Sequence, residues 1–132
     1  MSEQNKELVR RWYREWNAGN LAAVEEFFAD PQLAAGIRRG LSAYLTAFPD
    51  LHAGIEELIA EGDKVFCRSV MTGMQDGEIK GIAPTGRQVS FDSAEVYRIK
   101  DGEFVSYWCQ LDVAGMVRQL TEERPVEAGA AS

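Results

Sequence analysis

The sequence predicts an α+β fold in which helices cover one face of an antiparallel sheet. The first half repeats its apolar residues at helical spacing. The second half alternates them with period two between tight turns, and one further helix closes the chain. With 132 residues, 45 % of them hydrophobic and 27 % charged, the chain is long enough for one self-sufficient core and too apolar for general disorder. One domain over residues 1–122 is expected. Residues 123–132, with Pro125, Gly129 and several small side chains, are expected to form a disordered tail.

The first helix is read from Leu8, Val9, Trp12, Tyr13 and Trp16, with Arg10, Arg11, Arg14 and Glu15 between them. Gly19 suits the left-handed position after its end. Asn20 suits the N-cap of a second helix, expected over Leu21–Ala29 and ended by Asp30-Pro31. A third amphipathic stretch runs from about Ile37 to Ala47, and Pro49 stops it. Five strands follow, over 51–60, 64–74, 78–82, 87–99 and 103–111. Their turns are Glu61-Gly62-Asp63, Gln75-Asp76-Gly77 and Lys100-Asp101-Gly102, with a loop at Ala83-Pro84-Thr85-Gly86. The closing helix is expected from Val113 to about Glu122.

The composition narrows the function classes. Net charge is −7, and the basic runs are no longer than Arg10-Arg11 and Arg38-Arg39, so no nucleic-acid partner is expected. No apolar run approaches the ~20 residues of a membrane span. The start, Met1 to Lys6, lacks a signal peptide's apolar stretch, which sets the expectation of a cytoplasmic protein with Cys67 and Cys109 as free thiols. The single histidine, His52, cannot build a multi-histidine metal site, and no metal is expected. Nucleotide-binding and serine-hydrolase glycine motifs are absent.

Five strings, in order and at matching spacing, carry a family resemblance: Ala47-Phe48-Pro49-Asp50, Glu61-Gly62-Asp63, Gly81-Ile82-Ala83-Pro84-Thr85-Gly86, Tyr97-Arg98-Ile99-Lys100-Asp101-Gly102, and Trp108 through Leu120. Over roughly residues 6–120 the chain resembles the SnoaL-like polyketide cyclases of the nuclear-transport-factor-2-like superfamily. The resemblance implies a cone-shaped domain, with a curved sheet and N-terminal helices enclosing one apolar pocket. It implies cofactor-independent ring closure of a hydrophobic, polyketide-like substrate in natural-product metabolism, and a homodimer paired through the outer sheet face. In the family an Asp on the last strand takes a proton from carbon and a His on the preceding long strand assists. This sequence has Cys109 at the Asp position and Glu95 at the His position. The superfamily also contains epoxide hydrolases and binding modules, so hydrolytic or ether-ring-forming chemistry and non-catalytic ligand binding stay open.

The candidate catalytic residues are Glu95, Asp112 and Arg68. Period two puts Phe91, Ser93, Glu95 and Tyr97 on one strand face. If that face lines the pocket, burial raises the Glu95 pKa toward that of a general base; otherwise Glu95 is a solvated surface acid. Asp112 is placed to cap the last helix, and a chemical role is compatible with that. Arg68 interrupts an apolar strand, so it reaches solvent or pairs with a buried acid, for which Glu95 is the candidate. Cys109 shares a face with Tyr107 and Leu111, and is read as a silent lining thiol or a nucleophile. Trp12, Trp16, Tyr44, Phe48, Phe91, Tyr97, Tyr107 and Cys109 are expected to line the pocket, since core and pocket wall are shared in such a fold.

Overall fold

The apolar stripe of the N-terminal segment becomes helix α1, Ser2–Asn17, which buries Leu8, Val9, Trp12 and Tyr13 in the computed structural model. The structure describes residues 2–122, so the reading of 123–132 as a tail lies outside the described residues. Gly19 adopts a φ of 73°. Its amide donates to the Trp16 carbonyl, and the Asn20 amide donates to that of Glu15. This pair of bonds is a Schellman closure of α1.

The second helix departs from expectation. A 3₁₀ turn at Leu21–Ala23 leads into a four-residue helix α2, Val24–Phe27. The Asn20 side chain makes no cap and instead donates to Glu15 Oε1 at 2.8 Å. Helix α2 stops at Phe28, which is extended and bridges to Phe104, while the Ala29 amide donates to the Phe104 carbonyl. The Phe28 ring explains the break. It sits 5.1 Å from both Trp12 and Phe104, and 5.8 Å from Tyr107, so aromatic packing overrides helix propensity here. Asp30-Pro31 opens the next helix rather than closing this one. Asp30 accepts from the Gln32 amide, Pro31 fills the first helical position, and α3 runs Pro31–Ala47.

The sheet is antiparallel, in the order β1 His52–Glu61, β2 Lys64–Met74, β3 Gln88–Lys100 and β4 Glu103–Leu111. Its register shifts twice, leaving Glu56 on β1 and Val105 on β4 as extra residues. Such bulges bend and twist an open sheet. The expected short strand over 78–82 forms only an isolated bridge between Ile79 and Ile82. That loop is organised by a buried side chain instead. Gln75 donates to the carbonyls of Gly77 and Ile82, and its oxygen accepts from the amide and hydroxyl of Thr85.

Strand parity then sorts the faces. Along β3, Val89, Phe91, Ser93, Glu95, Tyr97 and Ile99 are buried against the helices. The closing helix α4, Val113–Thr121, is capped by Asp112, whose Oδ1 accepts from the Gly115 amide at 2.9 Å. A Cβ on Gly115 would collide with that carboxylate, so the tight cap requires glycine there. Gln119 fastens α4 to the part of β3 that extends beyond β4. It accepts from the Ser90 amide at 2.9 Å and donates to the Ser90 carbonyl at 2.8 Å, in the manner of a neighbouring strand. Among the described residues no helix is long and apolar enough to cross a membrane.

Candidate active site

The site is built on Glu95, which is 2 % exposed on the inner face of β3. Three phenols hold its carboxyl. Tyr13, from α1, and Tyr97, two residues along β3, donate to Oε1 at 2.5 and 2.6 Å. Tyr107, from β4, donates to Oε2 at 2.8 Å. Tyr13 Oη also lies 3.1 Å from Ser69 Oγ on β2. Burying a carboxyl without hydrogen bonds would be prohibitive, and these bonds make its burial tolerable. Among the described residues no Lys or Arg pairs with it.

Glu95, Tyr107 and Cys109 open onto a cavity of about 230 Å³. Met71 of β2 and Leu111 at the end of β4 complete the sheet side of its wall, and Trp16 of α1 adds to it from the helix layer. Helix α3 supplies Ile37, Leu41 and Tyr44, and its glycines Gly36 and Gly40 leave the rim open. Glu95 is the one carboxyl in an otherwise mostly apolar lining.

The electrostatics follow from that burial. Desolvation raises the Glu95 pKa above the ordinary carboxylate value, and the three phenol bonds offset it only in part. Burial first, and the Glu95 charge second, push the Tyr13, Tyr97 and Tyr107 phenols above their usual range, so all three stay protonated donors. Burial pushes the Cys67 thiol up to about 12 and also raises that of Cys109. Neither is a thiolate near neutral pH, as a nucleophile would need to be.

Of the residues expected at the site, the structure brings together Glu95, Trp16, Tyr44, Tyr107 and Cys109. Trp12, Phe48, Phe91 and Tyr97 do not line the cavity. They are buried behind its wall, where Phe91 lies 6.3 Å from Tyr44 and 6.4 Å from Phe48. Phe91 and Tyr97 share the buried strand face with Glu95, but the helices fill the space at both ends of the sheet. The pairing of Arg68 with Glu95 is overturned. Cys67 is the residue opposite Glu95, so Arg68, opposite Ala94, points to the other face. There its Nε lies 3.3 Å from Glu57 Oε1 in a solvent-exposed pair, an arrangement that contributes little. Asp112 is exposed, does not line the cavity, and is engaged in the α4 cap. In the sequence Tyr13 belongs to the apolar stripe of the first helix. A tyrosine on a buried helix face needs a partner for its hydroxyl, and that was the available signal. Gly36 and Gly40, four apart inside a helical stretch, were the signal for the open rim. Among the described residues no three His, Cys, Asp or Glu side chains are grouped as metal ligands.

A helix-lined curved sheet with a buried carboxyl facing an apolar cavity defines a small cavity-bearing α+β domain. A sequence profile of the SnoaL-like polyketide cyclases matches residues 6–120. The protein belongs to the SnoaL-like polyketide cyclase family. It is 30 % identical over 137 residues to the aklanonic acid methyl ester cyclase DauD of Streptomyces sp. (strain C5), covering 93 % of this chain and 85 % of that one. The same identity over the same length relates it to the aklanonic acid methyl ester cyclase DnrD of Streptomyces peucetius, over 93 % and 94 % of the two chains. Among solved structures, TsrD from Streptomyces laurentii superposes with a TM-score of 0.81 at 25 % identity, over 92 % of this chain and 97 % of that one.

The raised pKa of Glu95 makes a prediction about stability. The unfolded carboxyl releases its proton near 4.5, while the folded one holds it to higher pH. The folded state therefore binds more protons between those two values, and stability falls as pH rises through that window. Urea unfolding of the native protein and of Glu95→Gln at stepped pH should show the native protein losing stability relative to the variant as pH rises above about 4.5. A difference that stays flat, or grows in the native protein's favour, would contradict the raised pKa.

Proposed function

We propose that the protein closes a ring in a hydrophobic, polyketide-like substrate by acid–base chemistry, with Glu95 as the base that removes a proton from carbon α to a carbonyl. The observation that carries this reading is a carboxyl at the wall of a mostly apolar cavity, with no cationic partner among the described residues. A base near neutral pH needs a raised pKa, and burial supplies it. A carboxylate offers about four acceptor positions. Oε1 already takes two phenols and Oε2 takes one, which leaves Oε2 an acceptor position for a substrate proton. The relatives named for aklanonic acid methyl ester make that compound the first substrate to try. Removing a proton and returning it elsewhere is redox-neutral, so the reaction calls for no redox cofactor. Cys109 then serves as lining.

With aklanonic acid methyl ester, Glu95→Gln should lower kcat by about 10²–10⁴-fold with KM little changed, while Cys109→Ser stays within a few-fold of native. Native turnover by Glu95→Gln would put the base elsewhere. Tight binding by the native protein without any product would favour a non-catalytic binding module.

A homodimer through the outer sheet face is part of the same proposal. Its support is a row of apolar residues crossing all four strands, Ile59, Phe66, Val96 and Trp108 in register. Ile59 is 58 % and Trp108 54 % exposed. Sedimentation velocity at micromolar concentration should give a two-chain species, and Trp108→Glu a single chain. A native protein that sediments as one chain would refute this part.

A further inference from the structure

We propose that Tyr107 is a second catalytic residue, delivering to the substrate's oxygen a proton that Glu95 then replaces with the one it has taken from carbon. The inference rests on the reading of Glu95 as base and assigns the other half of the reaction. It comes from an asymmetry among the three phenols on that carboxyl. Tyr13 and Tyr97 both bond Oε1 from within the core, 4 % and 0 % exposed, and neither lines the cavity. Tyr107 alone bonds Oε2, and it alone of the three lines the cavity. Its ring meets Phe28 edge-on at 5.8 Å and Tyr97 at a tilt at 5.2 Å, which fixes its hydroxyl on the carboxylate at the cavity wall. Tyr44 also lines the cavity, but it has no bond to Glu95 and no route by which Glu95 could reprotonate it.

The proton inventory closes on this pair. Glu95 takes a proton from the carbon α to a carbonyl. The electron pair left behind forms the new carbon–carbon bond to a second carbonyl carbon of the same substrate. The π pair of that second carbonyl moves to its oxygen, which becomes an alkoxide. Tyr107 gives its proton to the alkoxide and takes the one that Glu95 has acquired. One proton has moved from carbon to oxygen, and both side chains are back in their starting states. A hydroxyl that is donor and acceptor at once is the group such a relay requires.

The test separates the two halves. In deuterated buffer with aklanonic acid methyl ester, NMR follows exchange of the substrate's acidic carbon-bound hydrogen and, in the same tube, formation of the ring. Tyr107→Phe should exchange at a rate within about tenfold of native but close the ring about 10²-fold more slowly, so the ratio of exchange to closure rises. Tyr97→Phe removes a bond of the same kind from Oε1 and should move exchange and closure together, leaving the ratio unchanged. Should Tyr107→Phe fold poorly, 3-fluorotyrosine at position 107 keeps the bond and makes the phenol a stronger acid. Closure should then change rate while exchange does not. An unchanged ratio in Tyr107→Phe, or a rise in Tyr44→Phe instead, overturns the role of Tyr107 and leaves Glu95 as base. Neither exchange nor closure by the native protein overturns both.

Discussion

Much of this molecule is arranged around one buried carboxyl and the three phenols that hold it. Among the described residues no cation neutralises Glu95, and its ionised form is costly away from water. Tyr13, Tyr97 and Tyr107 reduce that cost from α1, β3 and β4 respectively. The network therefore works only when the helix layer and two strands are in register. The same constraint ties folding to the site, because misplacing any one element would leave a buried polar group unsatisfied. Charge-assisted bonds to a carboxylate are also among the stronger ones a protein makes.

The surrounding structure can be understood as support for that arrangement. The bulges at Glu56 and Val105 interrupt the register on the two outer strands of the sheet. The aromatic group of Trp12, Phe27, Phe28 and Phe104 fills one end beneath α1, and Phe48 and Phe91 fill the other. Between them the side chains stop short, and the cavity opens beside Glu95. The glycines of α3 cost helix stability but keep bulk away from the rim. At the far edge, the Asp112 cap and the Gln119 clasp fix α4 against β3.

Local signals made much of this legible. Period two grouped Glu95 with Phe91, Ser93 and Tyr97 on one strand face, and the tight turns at Gly62 and Gly102 helped set all four strands to within a residue. The errors share a cause, which is tertiary packing acting against local preference. Phe28 leaves its helix because a ring-sized space beside Phe104 stabilises it more than one further helical turn would. Residues 78–82 look strand-like, but the Gln75 amide holds them as a loop. Asp30-Pro31 was ambiguous because proline both ends helices and begins them. Arg68 suggests a buried partner by its chemical type, but its parity, opposite to that of Cys67, sends it to the outer face. Which aromatic residues meet the cavity depends on where two layers fail to touch, and a one-dimensional pattern does not carry that information. The family resemblance supplied the pocket and singled out position 95, while the phenols that surround it emerge only in three dimensions.

The central claim is that burial holds Glu95 as a weak acid in contact with the substrate cavity. Its carboxyl carbon can be observed directly by ¹³C NMR in protein labelled at glutamate, with Glu95→Gln identifying the resonance by its disappearance. The account predicts that this carbon titrates distinctly above the ordinary value of 4.5, apart from the exposed glutamates. Titration at or below that value would contradict it, and would mean that the three phenols outweigh burial and hold Glu95 as a structural anion.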